Sequence, residues 1–402
     1  LRYGKFTNAI DQMNDKMRSY FSENKIKDTW NSLIYQYGEF NLIKESSLKK
    51  EGNMQIVDLL CNFVKGDLVV RVVLDTEKKV AGLWFLPPSP PPYEPPDYVN
   101  EKYFKEVEIS FGKDPWKLPG TLTIPKAKGP FPATILVHGS GPHDRDETIG
   151  PNRPFRDIAW GLSSQGIVVL RYDKRTYVHG KRMQPSEITV EEEVIQDAIE
   201  ALRFLNKRDE VKKGGVFLIG HSLGATLAPE IAFRYKDLAG IIMLAGIARP
   251  LEEVTYEQVT YISSLKPQLS QTEKEELNSL LTKLKSIQEG GFPENEMLLG
   301  MSGKYFYDLR KRNQIDFAKR LKVPIFILQG ERDYQSTMVD FNLWQKAIGK
   351  NANVTMKSYP DLNHLFMTGE GKATPDEYLK SGHVEGKIIE DMINWINSRV
   401  GK

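Results

Sequence analysis

The sequence predicts an α/β fold: a mostly parallel, helix-covered sheet with a helical lid, preceded by a small α+β domain. Three observations predict it. Apolar runs at 133–137, 216–219, 240–244, 323–329 and 354–359 read as strands, the fourth as a buried parallel one. Prolines crowd residues 87–96, where they block helix and sheet pairing and favour extended polyproline geometry. At 402 residues with 40% hydrophobic content, the chain exceeds a typical single domain and can bury a substantial core.

Residues 1–86 make the first expected domain. Segments 6–20 and 25–37 read as helices and 40–43, 55–64, 68–74 and 80–85 as strands, an order of helices followed by an antiparallel sheet. That order suits a curved-sheet unit of the cystatin or transport-factor kind, and no catalytic constellation is visible in it. Cys61 is the chain's one cysteine, which excludes an internal disulfide and a cysteine-cluster metal site. Its neighbours Leu59, Leu60, Phe63 and Val64 predict plain burial. Residues 87–97 read as a stiff linker and 98–402 as the catalytic domain, whose sheet begins at 103–111. A net charge of +2 over 27% charged residues gives no basis for a nucleic-acid or charged-membrane partner. No apolar stretch is long enough to cross a bilayer. The chain begins at Leu1 rather than methionine, which suits an exported protein whose signal peptide has been removed; a cytoplasmic location is the alternative expectation.

The motif that carries chemistry is Gly220-His221-Ser222-Leu223-Gly224, between the strand at 216–219 and a helix-like segment at 225–234. A serine there sits on a sharp turn that lifts its hydroxyl above the sheet, and glycines two residues away on each side relieve the crowding. Ser222 is therefore the candidate nucleophile. A serine hydroxyl needs a histidine base, and that histidine needs a carboxylate to fix its tautomer. The strand at 323–329 empties into Gly330-Glu331-Arg332-Asp333, which makes Asp333 the candidate acid and Glu331 the runner-up. The strand at 354–359 leads through Pro360-Asp361-Leu362-Asn363 to His364. Of six histidines only His364 and His383 lie beyond Asp333, and His383 leads into the last helix, so His364 is the candidate base. A developing oxyanion calls for two backbone donors. One is the amide of Leu223; the other is that of Ser140 in His138-Gly139-Ser140-Gly141, with Gly141 the alternative. A phosphate cradle is disfavoured, because no third glycine stands at dinucleotide spacing and no Gly-Lys-Ser/Thr follows.

Several segments in joint order carry a resemblance. They are His138-Gly139-Ser140-Gly141-Pro142-His143-Asp144-Arg145-Asp146, Phe155-Arg156-Asp157, Arg171-Tyr172-Asp173-Lys174-Arg175, the Ser222 turn, Gln329-Gly330-Glu331-Arg332-Asp333-Tyr334 and Leu362-Asn363-His364. Together they resemble the α/β-hydrolase carboxylesterases of bacteria that carry an N-terminal domain of unknown function, over residues 98–402. The resemblance implies the α/β-hydrolase fold, a Ser222, Asp333 and His364 triad, and hydrolysis of a small-molecule carboxylic ester with no cofactor and no metal. Ala225 departs from it, since many relatives place a further glycine there; alanine also allows close helix packing.

Residues 248–322 are far longer than an ordinary crossover between strands and are expected to form the lid. Within it 272–287 reads as a helix whose Leu277, Leu280, Leu281 and Leu284 share one face. Met297, Leu298, Leu299, Met301, Tyr305, Phe306 and Tyr307 have two equal readings, an acyl pocket or lid core. Asp144, Arg145, Asp146, Arg153, Arg156 and Asp157 read as an ion-pair network bracing the oxyanion loop, without histidine-carboxylate metal spacing. Two other functions stay open: a serine peptidase or amidase of the same fold, and a non-catalytic binding protein, against which the complete triad argues.

Overall fold

A computed structural model describes residues 3–86, 88 and 93–401, without the side chains of Tyr35 and Gln36. Most of the linker expected at 87–97 therefore lies outside the described residues. The chain divides into two units, Leu1–Pro92 and Tyr93–Lys402.

In the first unit α1 (Phe6–Asp11), α2 (Asp15–Tyr20) and α3 (Glu23–Tyr37) precede an antiparallel sheet of β1 (Phe40–Glu51), β2 (Met54–Phe63), β3 (Gly66–Leu74) and β4 (Val80–Leu86) in that order. The single helix expected at 6–20 is two. Asn14 caps the second by accepting from Met17 N at 3.0 Å, and Met13 leaves the helical path to bridge Val80. The strand expected at 40–43 runs on to Glu51, paired with β2 through register shifts at Phe40/Leu42 and Ile43/Glu45. Its polar stretch from Lys44 to Ser47 hides it from an apolar-pattern reading. One sheet face carries the core, where Leu33, Trp30 and Ile34 of α3 meet the buried Cys61, Phe63 and Leu68.

The second unit runs β5 (Phe104–Phe111), β6 (Leu118–Pro125), β7 (Phe131–Val137), α4 (Pro154–Ser164), β8 (Val168–Tyr172), α5 (Arg175–His179), α6 (Gln196–Leu205), β9 (Val211–His221), α7 (Leu223–Arg234) and β10 (Gly240–Leu244). The segment expected to form the lid follows as α8 (Leu251–Ser264), α9 (Gln271–Glu289), β11 (Met297–Leu298), β12 (Met301–Ser302), α10 (Gly303–Lys311) and α11 (Gln314–Arg320). The chain closes with β13 (Ile325–Gly330), α12 (Met338–Ile348), β14 (Val354–Tyr359) and α13 (Gly386–Val400). The main sheet has the order β14-β13-β10-β9-β7-β8-β6-β5. Strand β6 is antiparallel to both neighbours and every other pair is parallel.

Helices cover both faces of this sheet, which is why its central strands read as unbroken apolar runs. Val216 and Leu218 of β9 join the core under α6, α7 and α12, whereas Phe217 and Ile219 join the one under α4 and α13. In the lid, Ser270 and Glu273 form a capping box that starts α9. Leu284 and Ile287 pack with Phe292, Leu298 and Phe306. Leu298 and Phe306 thus pack in the core of this segment, with Met301 and Tyr307 against them; Tyr305 joins the main core, and Met297 and Leu299 are exposed. No helix among the described residues is long and apolar enough to cross a membrane.

Candidate active site

The turn between β9 and α7 holds Ser222 at φ 53° and ψ −115°, a region that non-glycine residues rarely occupy. Backbone bonds hold it there: Ser222 N donates to Leu244 O at 2.8 Å, and Ser222 O accepts from Thr226 N at 2.9 Å. A Cβ on Gly220 would stand 2.3 Å from Gly224 O, and one on Gly224 would stand 2.1 Å from Val137 O. Both neighbours are main chain and cannot yield, so the turn requires glycine on each side.

Asp333 lies just beyond β13, and its carboxylate is fully engaged. Oδ1 accepts from Gln335 N at 2.7 Å and Ser336 N at 3.0 Å, while Oδ2 accepts from Gln329 Nε2 at 3.3 Å and His364 Nδ1 at 2.6 Å. Asp333 and His364 are both buried. The carboxylate can only accept here, so Nδ1 carries a proton, and in the neutral ring Nε2 keeps its lone pair. Glu331 is exposed and bonded to Ser358 Oγ at 2.7 Å, away from the histidine. Ser222 Oγ makes no hydrogen bond among the described residues. His221, the residue before it, lies with its ring 4.7 Å from that of His364 and its Nε2 3.0 Å from His364 O.

The loop after β7 adjoins the serine: a Cβ on Gly139 would be 3.2 Å from Ser222 Cβ. Among the described residues the amides of Ser140, Gly141 and Leu223 donate to no protein acceptor. The Leu223 amide opens α7, where unpaired N–H groups and the helix dipole favour negative charge.

Glu147 and His221, to which the motifs assign no role, stand beside Gly139 and Ser222. Glu147 Oε1 accepts from Gly139 N at 2.6 Å, and Oε2 lies 2.8 Å from His221 Nδ1, an ion-pair contact without hydrogen-bond alignment. Burial opposes both charges, yet each holds the other: Glu147 stays below the usual carboxylate range and His221 above the usual imidazole value. His138 makes no ion-pair contact, and burial, against the pull of the Glu147 charge, pushes it down to about 3, with its Nε2 3.0 Å from Asp144 O.

The expected charged cluster forms two groups joined by Arg156. Asp146 pairs with Arg171 and with Arg156, the latter at 2.6 Å, and Arg145 pairs with Asp173 at 3.0 Å. Asp144 accepts from Asp146 N and Thr148 N at 3.1 and 3.0 Å, so this group shapes the segment that carries Glu147. Arg153, Arg156 and Asp157 seat Tyr93, a residue expected in the linker. Its hydroxyl donates to Asp157 Oδ1 at 2.6 Å, and its ring meets Trp160 and His383 edge-on at 5.3 and 5.7 Å.

His383 therefore serves Asp157, at 3.1 Å, and not Asp333. The hydrogen bond to Asp157 raises its pKa above 6.5 against the opposing effect of burial. A raised folded value means that the pair stabilises fully below about pH 6.5 and fades as pH rises through the folded value. His383→Gln is accordingly expected to lower Tm by a few degrees at pH 6 and by less at pH 9, with turnover changed less than about twofold. Equal Tm losses at both pH values would remove the ion pair from the account.

Residues 134–371 match a family model described as Serine aminopeptidase, S33, and residues 1–83 match one described as a protein of unknown function, DUF3887. Esterase EstD of Thermotoga maritima is 44% identical over 391 residues, covering 97% of this chain and 91% of EstD. Est1E from Butyrivibrio proteoclasticus, at 17% identity, superposes over 73% of this chain and 99% of its own with a TM-score of 0.50. Its ferulic acid complex does so at 16% identity over 73% and 100%, with the same TM-score. These two structures share the fold: a mostly parallel sheet between helices. The chain belongs to the serine aminopeptidase S33 family of α/β hydrolases and, with EstD alike over nearly its full length, is an ester-cleaving enzyme.

Proposed function

We propose that Ser222, His364 and Asp333 are the catalytic triad of this esterase and that the Ser140 and Leu223 amides form its oxyanion hole. Ser222 Oγ attacks the ester carbonyl while His364 Nε2 takes its proton. Asp333 stabilises the imidazolium, and the two amides receive the negative oxygen. His364 returns the proton to the departing alkoxide, leaving an acyl-enzyme. It then deprotonates the water that releases the acid and regenerates Ser222. Every step uses protein groups, so no cofactor is proposed. The observation that carries the reading is the buried 2.6 Å contact of His364 Nδ1 with an Asp333 carboxylate whose other bonds fix its orientation.

A peptidase reading has one observation in its favour, the description of the matching family model. An amine is a poorer leaving group than a nitrophenolate, so the two readings separate on paired substrates. The test is turnover of nitrophenyl acetate, butyrate and octanoate against aminoacyl nitroanilides. It is run on the full chain and on residues 93–402, since residues 1–86 are proposed to be accessory. Ester turnover at least about 100-fold faster than nitroanilide turnover is expected, with the acetate rate kept by the shorter chain. Preference for nitroanilides would make it a peptidase, and a shorter chain inactive on acetate would make the first unit part of the hydrolase core.

A further inference from the structure

The loop that carries the Ser140 amide is gripped by a lysine that the steps above do not use. Lys174 Nζ, just past β8, donates to Gly139 O at 2.7 Å and Gly141 O at 2.9 Å and stands 2.8 Å from Glu193 Oε1. These three contacts match its three N–H groups. Glu193 lies in the π-helical turn Glu191–Ile195 that leads into α6, and such turns recur at functional sites. Its other oxygen accepts from Tyr305 Oη at 2.5 Å. Tyr305 belongs to α10 of the lid, so a chain of buried polar contacts runs from lid to loop. Its members are 2%, 5% and 3% exposed at Lys174, Glu193 and Tyr305, too dry for water to replace a lost partner.

The grip has a direction. In a trans peptide the C=O and N–H groups point opposite ways, so a Gly139 carbonyl held by Lys174 aims the Ser140 N–H away from Lys174. The preceding peptide is held too, because Glu147 Oε1 takes the Gly139 N–H at 2.6 Å. Gly139 is thus fixed on both sides, while the Ser140 amide keeps no protein acceptor among the described residues.

We propose that Lys174 is a positioning residue of the oxyanion hole, and that Glu193 and Tyr305 tie its grip to the lid, so that α10 sets the aim of the Ser140 amide. This rests on Ser140 as an oxyanion donor. Such a residue acts on the charged tetrahedral state and leaves ground-state binding alone. A purely structural lysine would have no such selectivity.

The test uses Lys174→Met and Tyr305→Phe in the full chain, with kcat and KM for nitrophenyl acetate. It also measures affinity for a trifluoromethyl ketone, which adds to a serine as an oxyanion, and for the matching carbinol, which cannot. Lys174→Met is expected to lose about 100-fold in kcat and as much in ketone affinity, with KM and carbinol affinity within about threefold. Tyr305→Phe, which changes one hydroxyl, is expected to lose about three- to tenfold in the same two quantities. Unchanged ketone affinity in Lys174→Met, or equal losses for ketone and carbinol, overturns the proposal. If that variant is insoluble, Tyr305→Phe decides, and wild-type values for it overturn the link. Labelling by a fluorophosphonate separates the two levels. A wild type unlabelled at Ser222 defeats the triad itself, whereas a labelled wild type with unmoved ketone affinity defeats only the role of Lys174.

Discussion

Ser222→Ala is expected to lower kcat on a nitrophenyl ester by about five orders of magnitude while leaving the fold intact. The size follows from the chemistry, since no other hydroxyl stands at the turn between β9 and α7 to form the acyl-enzyme. The intact fold follows from the packing. Ser222 Oγ makes no hydrogen bond among the described residues, so its removal breaks none, and the strained backbone is shared by both side chains. The bonds that hold the turn, to Leu244 O and from Thr226 N, are main chain at residue 222 and survive. Turnover and a thermal melt of the same preparation check both halves, and turnover within about tenfold of wild type would remove Ser222 from the nucleophile role.

Asp333→Asn is expected to cost about 10⁴-fold in kcat, with Glu331→Gln within about twofold. Asparagine can keep the two bonds that Oδ1 accepts from Gln335 N and Ser336 N, so the side chain stays in place with its amide NH₂ turned to His364. That NH₂ is a donor facing Nδ1. The histidine answers by moving its proton to Nε2, which leaves no lone pair toward the serine. Glu331 has no such position, being exposed and bonded to Ser358 Oγ. Comparable losses in both variants would leave the acid unassigned.

The parts of this site that were legible in the sequence are those with local signatures. Ser222 is flanked by the glycines its turn requires, and Asp333 and His364 each follow an apolar strand. Strand order in a doubly wound sheet then brings such loops to one edge. Lys174 lies in a segment that carries the resemblance and Tyr305 in an apolar run, but nothing local marks their contact with Glu193, because a lysine or glutamate in sequence reads as a solvated side chain. Only closure of β8, α6 and the lid around one point buries them together. His221 was in view inside the motif, yet its partner Glu147 lies 74 residues earlier and no period connects them. The first unit shows the same limit. A capped break at Asn14 divides what reads as one helix, and a polar edge strand, β1, does not alternate strongly enough to be followed to Glu51.

Strand β14 has a neighbour on one side only and is largely half-exposed. His364, the proposed base, lies five residues beyond that strand, whereas Ser222 follows β9, the fourth strand in the sheet order and buried at its end. Edges open at lower free energy than centres. Fraying that parts β14 from β13 would carry His364 away from Asp333 and leave Ser222 on its turn, the proposed nucleophile without its proposed base. On heating, turnover is therefore expected to fall at a lower temperature than the circular-dichroism melt of the core, and to recover on cooling from below that melt.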